Sequence, residues 1–234
     1  MSRRKLPVLA EISAPRLSES RAWSLRRDDF EALAGLRKRL EQHRVVVITG
    51  SDGLVAAGGL AVAGAASAAG RRTALLECDL LRPSVAAGVG LAPAPGLHEY
   101  LRWEAAAPQI LQPLVLAGPA ARGAADPLVC VVAGHPAEDA ASLIDSESFR
   151  HATAKLSAAY ELTVVVAPPL DDRTLASIAA RGSALLACVT PQQSSGRAHR
   201  RLRKALKRLS APALGTIVVA DSAAPAAPRP NLDT

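Results

Sequence analysis

Short runs of consecutive apolar residues recur along the chain and are separated by longer segments of mixed character. Runs of this kind are typical of β-strands, and they lie at residues 45–49, 73–78, 128–133, 162–167, 183–189 and 214–220. Because the runs are continuous rather than alternating, we expect both faces of each strand to be buried, as in a parallel sheet. Segments of helical length lie between them, at residues 58–69, 146–159, 172–180 and 197–210. The pattern predicts an α/β fold with a single doubly wound, mostly parallel sheet and helices on both faces.

The same pattern divides the chain into three parts. We predict an N-terminal arm at residues 1–27, the α/β domain at 28–220, and a disordered tail rich in Pro and Ala at 221–234. Asp28 and Asp29 are expected to cap a helix over residues 30–42.

Two apolar segments bear on the location of the protein. The uncharged segment 53–70 has the length of a membrane span, but it consists mostly of Ala, Gly and Ser, which favours a buried helix. The apolar run near the N-terminus, residues 6–10, is too short for the core of a signal peptide. We therefore expect a cytoplasmic protein.

Composition narrows the classes of function. Aromatic residues make up only 3% of the chain, which argues against RNA-binding folds that stack bases on an aromatic platform. The three cysteines are far apart and form no CxxC or Cys/His pattern, so we predict buried, reduced thiols and no metal site. The net charge of +7 is concentrated in residues 197–208, which contain seven Lys and Arg and no acid. The rest of the chain is electrically balanced.

This basic segment has the periodicity of an amphipathic helix. Leu202, Ala205, Leu206 and Leu209 fall on one face. The opposite face carries the cations that we predict to bind a partner: Arg200, Arg201, Arg203, Lys204, Lys207 and Arg208. A solvated surface, an acidic protein, anionic lipid at the inner membrane surface and the DNA backbone all remain compatible with such a face.

The turn after the first of these strands has the position of a phosphate-binding loop but not its residues. A P-loop needs glycines whose N–H groups surround phosphates, a Lys for the β- and γ-phosphate oxygens and a hydroxyl for Mg²⁺. The candidate nucleotide-binding residues here are Gly50, Ser51, Asp52 and Gly53, and Leu54 follows them. By itself the turn is weak evidence for phosphate binding, and a tight strand-to-helix connection is the competing interpretation.

Two longer stretches carry a family resemblance. Residues 70–101, GRRTALLECDLLRPSVAAGVGLAPAPGLHEYL, match a pattern of the bacterial tyrosine kinases (BY-kinases) in register and without gaps, through Asp79, Leu80, Arg82, Pro83, Gly90, Leu91, Pro95, Gly96, Leu97 and Leu101. Residues 143–169, LIDSESFRHATAKLSAAYELTVVVAPP, match a second pattern of that family, including its final pair of prolines. Over residues 6–220 the chain thus resembles the BY-kinases of capsule and exopolysaccharide systems, which belong to the MinD/ParA-type P-loop ATPases. The resemblance implies a P-loop NTPase-like fold.

The resemblance also shows which chemical groups of the family are missing. The position of the P-loop Lys is held by Val55, that of the Mg²⁺-binding hydroxyl by Ala56, and that of the Walker B Asp by Val166. Phosphoryl transfer depends on positioning and on neutralising charge with Lys and Mg²⁺. We therefore expect no catalytic residues and no kinase activity.

Other positions of the family's nucleotide site are retained or changed conservatively. Glu77 stands at the first Walker A′ Asp, Asp79 keeps the second, and Arg82 follows in the matched stretch. Together with the turn at residues 50–53, these form a vestigial nucleotide site. We expect no cofactor, and the alternative is that Glu77 and Asp79 still hold Mg²⁺ and ATP.

The self-association helix of the family carries the motif ExxRxxR. Here Glu31 and Arg37 keep the outer positions and Ala34 replaces the middle Arg, so Glu31 and Arg37 are candidate partner-binding residues. The family autophosphorylates on a C-terminal tyrosine cluster, whereas Tyr100 and Tyr160 are the only tyrosines of this chain, and we predict that both are partly buried in the domain.

The resemblance implies a catalytically degenerate scaffold or regulator of capsular or exopolysaccharide synthesis and export. The implied partner is a membrane-anchored chain-length-control or export protein, which would recruit this chain to the inner face of the cell membrane. Self-association and direct peripheral contact with the membrane stay open, and a nucleic-acid partner is not expected. The alternatives are a residual ATP-binding tyrosine kinase or ATPase of the same pathway, or a ParA/MinD-like positioning protein on DNA or membrane.

Overall fold

The computed structural model describes residues 6–13, 23–51, 53–117, 126–170 and 172–220. Eight strands form the main sheet: β1 (Val8–Ser13), β3 (Val45–Gly50), β4 (Thr73–Glu77), β5 (Gln112–Leu114), β7 (Leu128–Val131), β8 (Leu162–Val166), β9 (Ala184–Val189) and β10 (Ala213–Ala220). Their order is β1-β10-β9-β3-β8-β4-β7-β5, and every neighbouring pair is parallel except β5 with β7. Two further short strands, β2 (Trp23–Ser24) and β6 (Leu116–Ala117), pair separately. The predicted α/β class with a mostly parallel sheet is confirmed.

Ten helices cover the two faces of the main sheet in the described ranges. The first face carries α1 (Arg27–Ala32), α2 (Ala34–Leu40), α3 (Val55–Ala68) and α4 (Val85–Val89). The second face carries α5 (Leu97–Leu101), α6 (Ala107–Ile110), α7 (Ala140–Asp145), α8 (Glu147–Ala159), α9 (Leu175–Ala179) and α10 (Gly196–Leu206). Successive residues of the central strands point to opposite faces, so that Val46 and Ile48 pack under α3 while Val45 and Val47 pack on the other side. This burial on both faces explains the continuous apolar runs in the sequence.

The N-terminal region differs from its prediction. Within the predicted arm, β1 is an edge strand of the main sheet, paired in parallel with β10. The predicted helix over residues 30–42 is two helices, α1 and α2, which meet at Leu33. Asp28 and Asp29 do not cap it, because α1 already begins at Arg27 and makes no side-chain cap hydrogen bond. The Asp29 carboxylate instead accepts a hydrogen bond from the Ser13 N–H at 2.9 Å, which ties α1 to the end of β1.

The apolar segment that follows β3 forms α3, a helix buried around almost its whole circumference. Its small residues allow close packing: a side chain at Gly58 would overlap the Cys188 sulfur, and one at Gly64 would overlap the Trp23 ring. No helix in the described ranges is both long and apolar enough to cross a bilayer. The segment is a core helix of this domain, as predicted.

The three cysteines are buried and free, as predicted. Burial raises the pKa of both Cys130 and Cys188 to about 12. Both thiols are therefore protonated and unreactive at neutral pH.

Candidate functional site

The carboxyl ends of four central strands, β3, β4, β8 and β9, meet at one edge of the sheet, which we call the carboxyl edge. Register pairs Gly50 of β3 with Cys188 of β9, and Glu77 of β4 with Val166 of β8. The Thr49 hydroxyl donates to the Pro168 carbonyl oxygen at 2.8 Å, which joins the ends of β3 and β8. The fold therefore brings together the turn after β3, Glu77 and Val166, as the sequence predicts. Asp52 lies outside the described residues.

The turn between β3 and α3 is tied to the neighbouring strand. Gly50 has φ +145°, and a Cβ there would overlap the backbone of Cys188. The Ser51 N–H donates to the Cys188 carbonyl at 3.0 Å, and the Leu54 N–H donates back to the Ser51 carbonyl at 3.2 Å. The Ser51 hydroxyl donates to Gln193 Oε1 at 2.6 Å. The N–H groups of Ser51 and Leu54, which lie in the turn where a P-loop would bind phosphate, thus donate to carbonyl groups of the protein itself.

The positions assigned to the missing Lys, hydroxyl and Asp are apolar packing positions. Val55 begins α3 and is 6% exposed, and Ala56 is half-buried against the same core. Val166, at the end of β8, is 2% exposed and points at Gly59 of α3, where a Cβ would come within 2.5 Å of the valine methyl group. At these positions apolar side chains fill the contact between α3 and the sheet.

Glu77 is fully buried, and its carboxylate is saturated by donors of the protein. Oε1 accepts from the N–H groups of Ser84 at 2.6 Å and Val85 at 2.8 Å, and from the Ser84 hydroxyl at 3.3 Å. Oε2 accepts from the Ala133 N–H at 3.0 Å. A buried charge requires such partners. Glu77 thus links the end of β4 to the start of α4 and to the segment after β7.

Asp79 is more open than Glu77 and has weaker partners. It accepts a hydrogen bond from the Arg82 N–H at 3.1 Å, and the Arg82 guanidinium lies 3.8 Å from its other oxygen. Burial raises the pKa of Asp79, and the Arg82 N–H and the Arg82 charge partly offset that rise. Asp79 lines a cavity of about 240 Å³ that also has Glu138, Asp172 and Arg173 on its walls. Of the predicted site residues, it is the carboxylate best placed to meet a ligand.

The predicted basic face does not form one surface. Arg201 lines a cavity of about 230 Å³ at the carboxyl edge, next to Ser51 and Gln193. Arg203 and Lys207 lie on the other flank of α10, at the opposite end of the sheet. Arg200, Lys204 and Arg208 are exposed and line neither cavity.

Glu31 and Arg37, the other predicted partner-binding residues, make contacts inside the chain. Glu31 forms an exposed ion pair with Arg27 at 3.0 Å, one helical turn away. Arg37 donates to the Phe30 carbonyl at 2.7 Å and stacks 3.9 Å above the Phe30 ring. Partner binding by these two residues stays a prediction.

The contributors to this edge that were not predicted from the sequence are Gln193 and three residues that donate to Glu77, namely Ser84, Val85 and Ala133. Gln193 is held in the 3₁₀ turn Pro191–Ser194 by mutual hydrogen bonds with Thr190. The amides of Val85 and Ala133 serve as partners of Glu77. Backbone amides carry no signature in a sequence. The polar segment after β9 is the one signal that could have indicated Gln193.

No protein-family model and no curated protein sequence matches this chain. Solved structures do match. The kinase domain of the Escherichia coli tyrosine kinase ETK aligns with a TM-score of 0.75 at 16% identity, over 96% of this chain and 94% of that one. The BceF tyrosine kinase domain aligns with a TM-score of 0.70 at 21% identity, over 92% and 93%. The septum site-determining protein MinD from Pyrococcus horikoshii, complexed with Mg-ADP, aligns with a TM-score of 0.57 at 16% identity, over 75% and 69%.

These similarities extend over nearly the full length of the kinase domains. At this level of identity they establish the fold. The resemblance found in the sequence is confirmed to that extent: this chain has the fold of the bacterial tyrosine-kinase domains, and its fold is also similar to that of MinD.

Proposed function

We propose that this chain is a catalytically silent relative of the BY-kinase domains, which acts as a scaffold or regulatory subunit in capsular or exopolysaccharide synthesis and export. Its role is to bind a membrane-anchored chain-length-control or export protein. The proposal combines the fold with the loss of the groups that carry phosphoryl transfer.

The observation that carries the proposal is the packing of the carboxyl edge. Where the family has a metal-binding Asp, Val166 packs against Gly59 of α3. Where it has its first Walker A′ Asp, Glu77 has four protein hydrogen bonds and presents no unbonded oxygen. A triphosphate with Mg²⁺ needs a cation and free oxygen ligands at this place. The residues present do not fit that group, so we assign no catalytic step to it.

Partner binding is supported by the distribution of charge. The excess of positive charge lies on α10, a helix that already packs its leucines on the sheet, so its cations are available at the surface. A membrane-anchored partner would bring the chain to the inner face of the membrane.

Residual nucleotide binding is the alternative function. It is favoured by Asp79, which borders a cavity at the carboxyl edge, and by the Mg-ADP in the MinD structure. In this alternative Asp79 holds Mg²⁺ and the chain hydrolyses ATP slowly or phosphorylates tyrosine.

A phosphotransfer assay separates the proposal from the tyrosine-kinase form of this alternative. Purified full-length protein is incubated with radiolabelled ATP and Mg²⁺, and the incorporation of phosphate is measured on the parent and on a double variant, Tyr100→Phe with Tyr160→Phe. We expect no incorporation above a heat-inactivated sample. Incorporation that disappears in the double variant contradicts the proposal and establishes a tyrosine kinase.

A further inference from the structure

An open cavity lies at the end of the sheet opposite the carboxyl edge. It is an open groove of about 780 Å³. Its walls come from the residues that lead into β1 and β10, from the end of α10 and from α2. Strands of a parallel sheet begin at one edge, so the groove is separated from the vestigial nucleotide site by the length of the strands. We call it the amino-edge groove.

The amino-edge groove has an apolar floor. Leu6 and Leu206 are buried in the core that joins α10 to the sheet. Ala211, Pro212 and Leu214 continue this surface along the entry to β10. The floor is therefore rigid and already desolvated in part, which lowers the entropic cost of ordering a ligand upon it.

The rim of the groove is cationic. Arg39 comes from α2, and Arg203 comes from one flank of α10. Lys207 caps the C-terminal end of that helix four residues later and is therefore a neighbour of Arg203. Within the described ranges, none of these three cations has a hydrogen bond or an ion pair. Two separate elements thus bring three uncompensated positive charges to one apolar groove.

We propose that the amino-edge groove is the docking site for an acidic segment of a protein partner. Carboxylates of that segment pair with Arg39, Arg203 and Lys207, and at least one apolar side chain of the segment packs on the leucine floor. The cationic rim complements the charge of such a segment, and the recessed apolar floor complements its apolar side chain. The inference rests on the proposed function, because it gives the partner-binding role a place and a chemistry.

The groove distinguishes a peptide from the other polyanions that α10 could attract. A bilayer surface is flat and would meet the exposed cations of α10 rather than the recessed floor. A DNA backbone offers phosphates and sugars but no apolar side chain for the leucines. The last 14 residues of a second copy offer only two acids, Asp221 and Asp233, which are 12 positions apart.

The test uses the full-length protein and a fluorescein-labelled peptide of about 12 residues in which Asp and Glu alternate with Leu. Binding is measured by fluorescence anisotropy in about 50 mM and about 300 mM NaCl, because exposed ion pairs weaken as salt is added. The groove variant is Arg203→Gln with Lys207→Gln. The matched control is Lys204→Gln with Arg208→Gln, which removes the same charge outside the groove, again from one residue of α10 and one just after its end. Circular dichroism and thermal unfolding verify that both variants are folded.

We expect the groove variant to bind the peptide about tenfold more weakly than the parent, and the control to bind within about twofold of it. A peptide with Ser in place of Leu should bind about tenfold more weakly to the parent, because it cannot occupy the floor. Equal weakening in both variants, or no binding of the peptide to the parent, overturns the docking site. Tighter binding to phosphatidylglycerol vesicles or to a DNA duplex than to the peptide also overturns it.

The outcome for the groove is independent of the outcome for the proposed function. A chain that transfers phosphate from ATP yet binds the peptide through Arg203 and Lys207 contradicts the proposed function and leaves the docking site intact. A chain that neither transfers phosphate nor discriminates between the two variants contradicts the docking site alone.

Discussion

Replacement of Glu77 by Ala examines whether this carboxylate belongs to the fold or to a ligand site. The change removes the acceptor of three backbone N–H groups, those of Ser84, Val85 and Ala133. Ser84 is the residue before α4 and has access to water, but Val85 and Ala133 are buried. In the Ala variant, the two buried donors have no partner.

The expected loss follows from these two donors. Each buried donor left without an acceptor costs about 1–3 kcal/mol, so the Ala variant should lose about 2–6 kcal/mol of unfolding free energy. The total unfolding free energy of such a domain is about 5–15 kcal/mol, so this loss is a large fraction of it. Glu77→Gln keeps one acceptor oxygen and should lose roughly half as much. If Glu77 were instead a metal ligand without protein hydrogen bonds, its replacement would raise the unfolding free energy, because it would relieve the repulsion between Glu77 and Asp79.

Urea unfolding measured by circular dichroism, together with the fluorescence of the buried Trp23, gives the free energy for each variant. Glu138→Ala is the control, since Glu138 is an exposed carboxylate near the same edge and should change stability by less than about 0.5 kcal/mol. A Glu77→Ala protein within about 0.5 kcal/mol of the parent, or more stable than it, refutes the reasoning.

Three further changes test the electrostatics and the backbone. Burial alone would raise the pKa of Glu99, but hydrogen bonds from Gly96 and His135 lower it from 4.5 to about 2. The contribution of Glu99 to the unfolding free energy is therefore complete above pH 4.5 and is lost as the pH falls towards 2. Glu99→Gln should therefore be less stable than the parent by up to about 3 kcal/mol at pH 7, with the gap closing over that acid range in pH-dependent urea unfolding. For Asp29, burial raises the pKa of the carboxyl above 3.8, so the folded state binds the proton more tightly; the parent should gain stability relative to Asp29→Asn as the pH falls towards 3.8, with the gain complete below 3.8, and a constant difference contradicts this. Trp103 is 82% exposed with φ +65°, so Trp103→Gly should raise the unfolding free energy by about 1 kcal/mol in calorimetry, and a loss of stability would show that the ring makes a needed contact.

The central sheet could be predicted because its strands are buried on both faces, which leaves continuous apolar runs. The edge strand β1 escaped that signal. Its burial alternates, with Glu11 exposed between Ala10 and Ile12, so the segment has no continuous run and was predicted as an arm. An edge strand with one solvent-exposed face is harder to recognise in a sequence than a central strand, because it has no continuous apolar run.

The candidate site was predictable in position but not in its contacts. The resemblance located Glu77 and Val166 at the carboxyl edge, because the spacing of positions within a matched stretch is kept when the side chains change. It could not indicate that Val166 packs on Gly59, or that Glu77 bonds to Ala133, 56 residues further along the chain. Such contacts depend on the register of β8 and on the close approach of α3, which only the folded structure provides.

The charge of α10 was predicted as one partner-binding face, whereas the fold assigns its cations to different places. Arg201 faces the carboxyl edge, and Arg203 faces the amino-edge groove together with Arg39. Helical periodicity separates a polar face from an apolar one, but it does not show what packs beside each flank.

The central claim is that apolar packing and internal hydrogen bonds stand at the carboxyl edge in place of a nucleotide site. A thermal-shift titration with Mg-ATP and Mg-ADP tests this claim most directly. A ligand that binds only the folded state and is present at about 100 times its dissociation constant adds about 2.7 kcal/mol of stability. The account predicts no change in melting temperature up to millimolar nucleotide. A saturable rise in melting temperature that requires Mg²⁺ and is abolished by Asp79→Asn would contradict it.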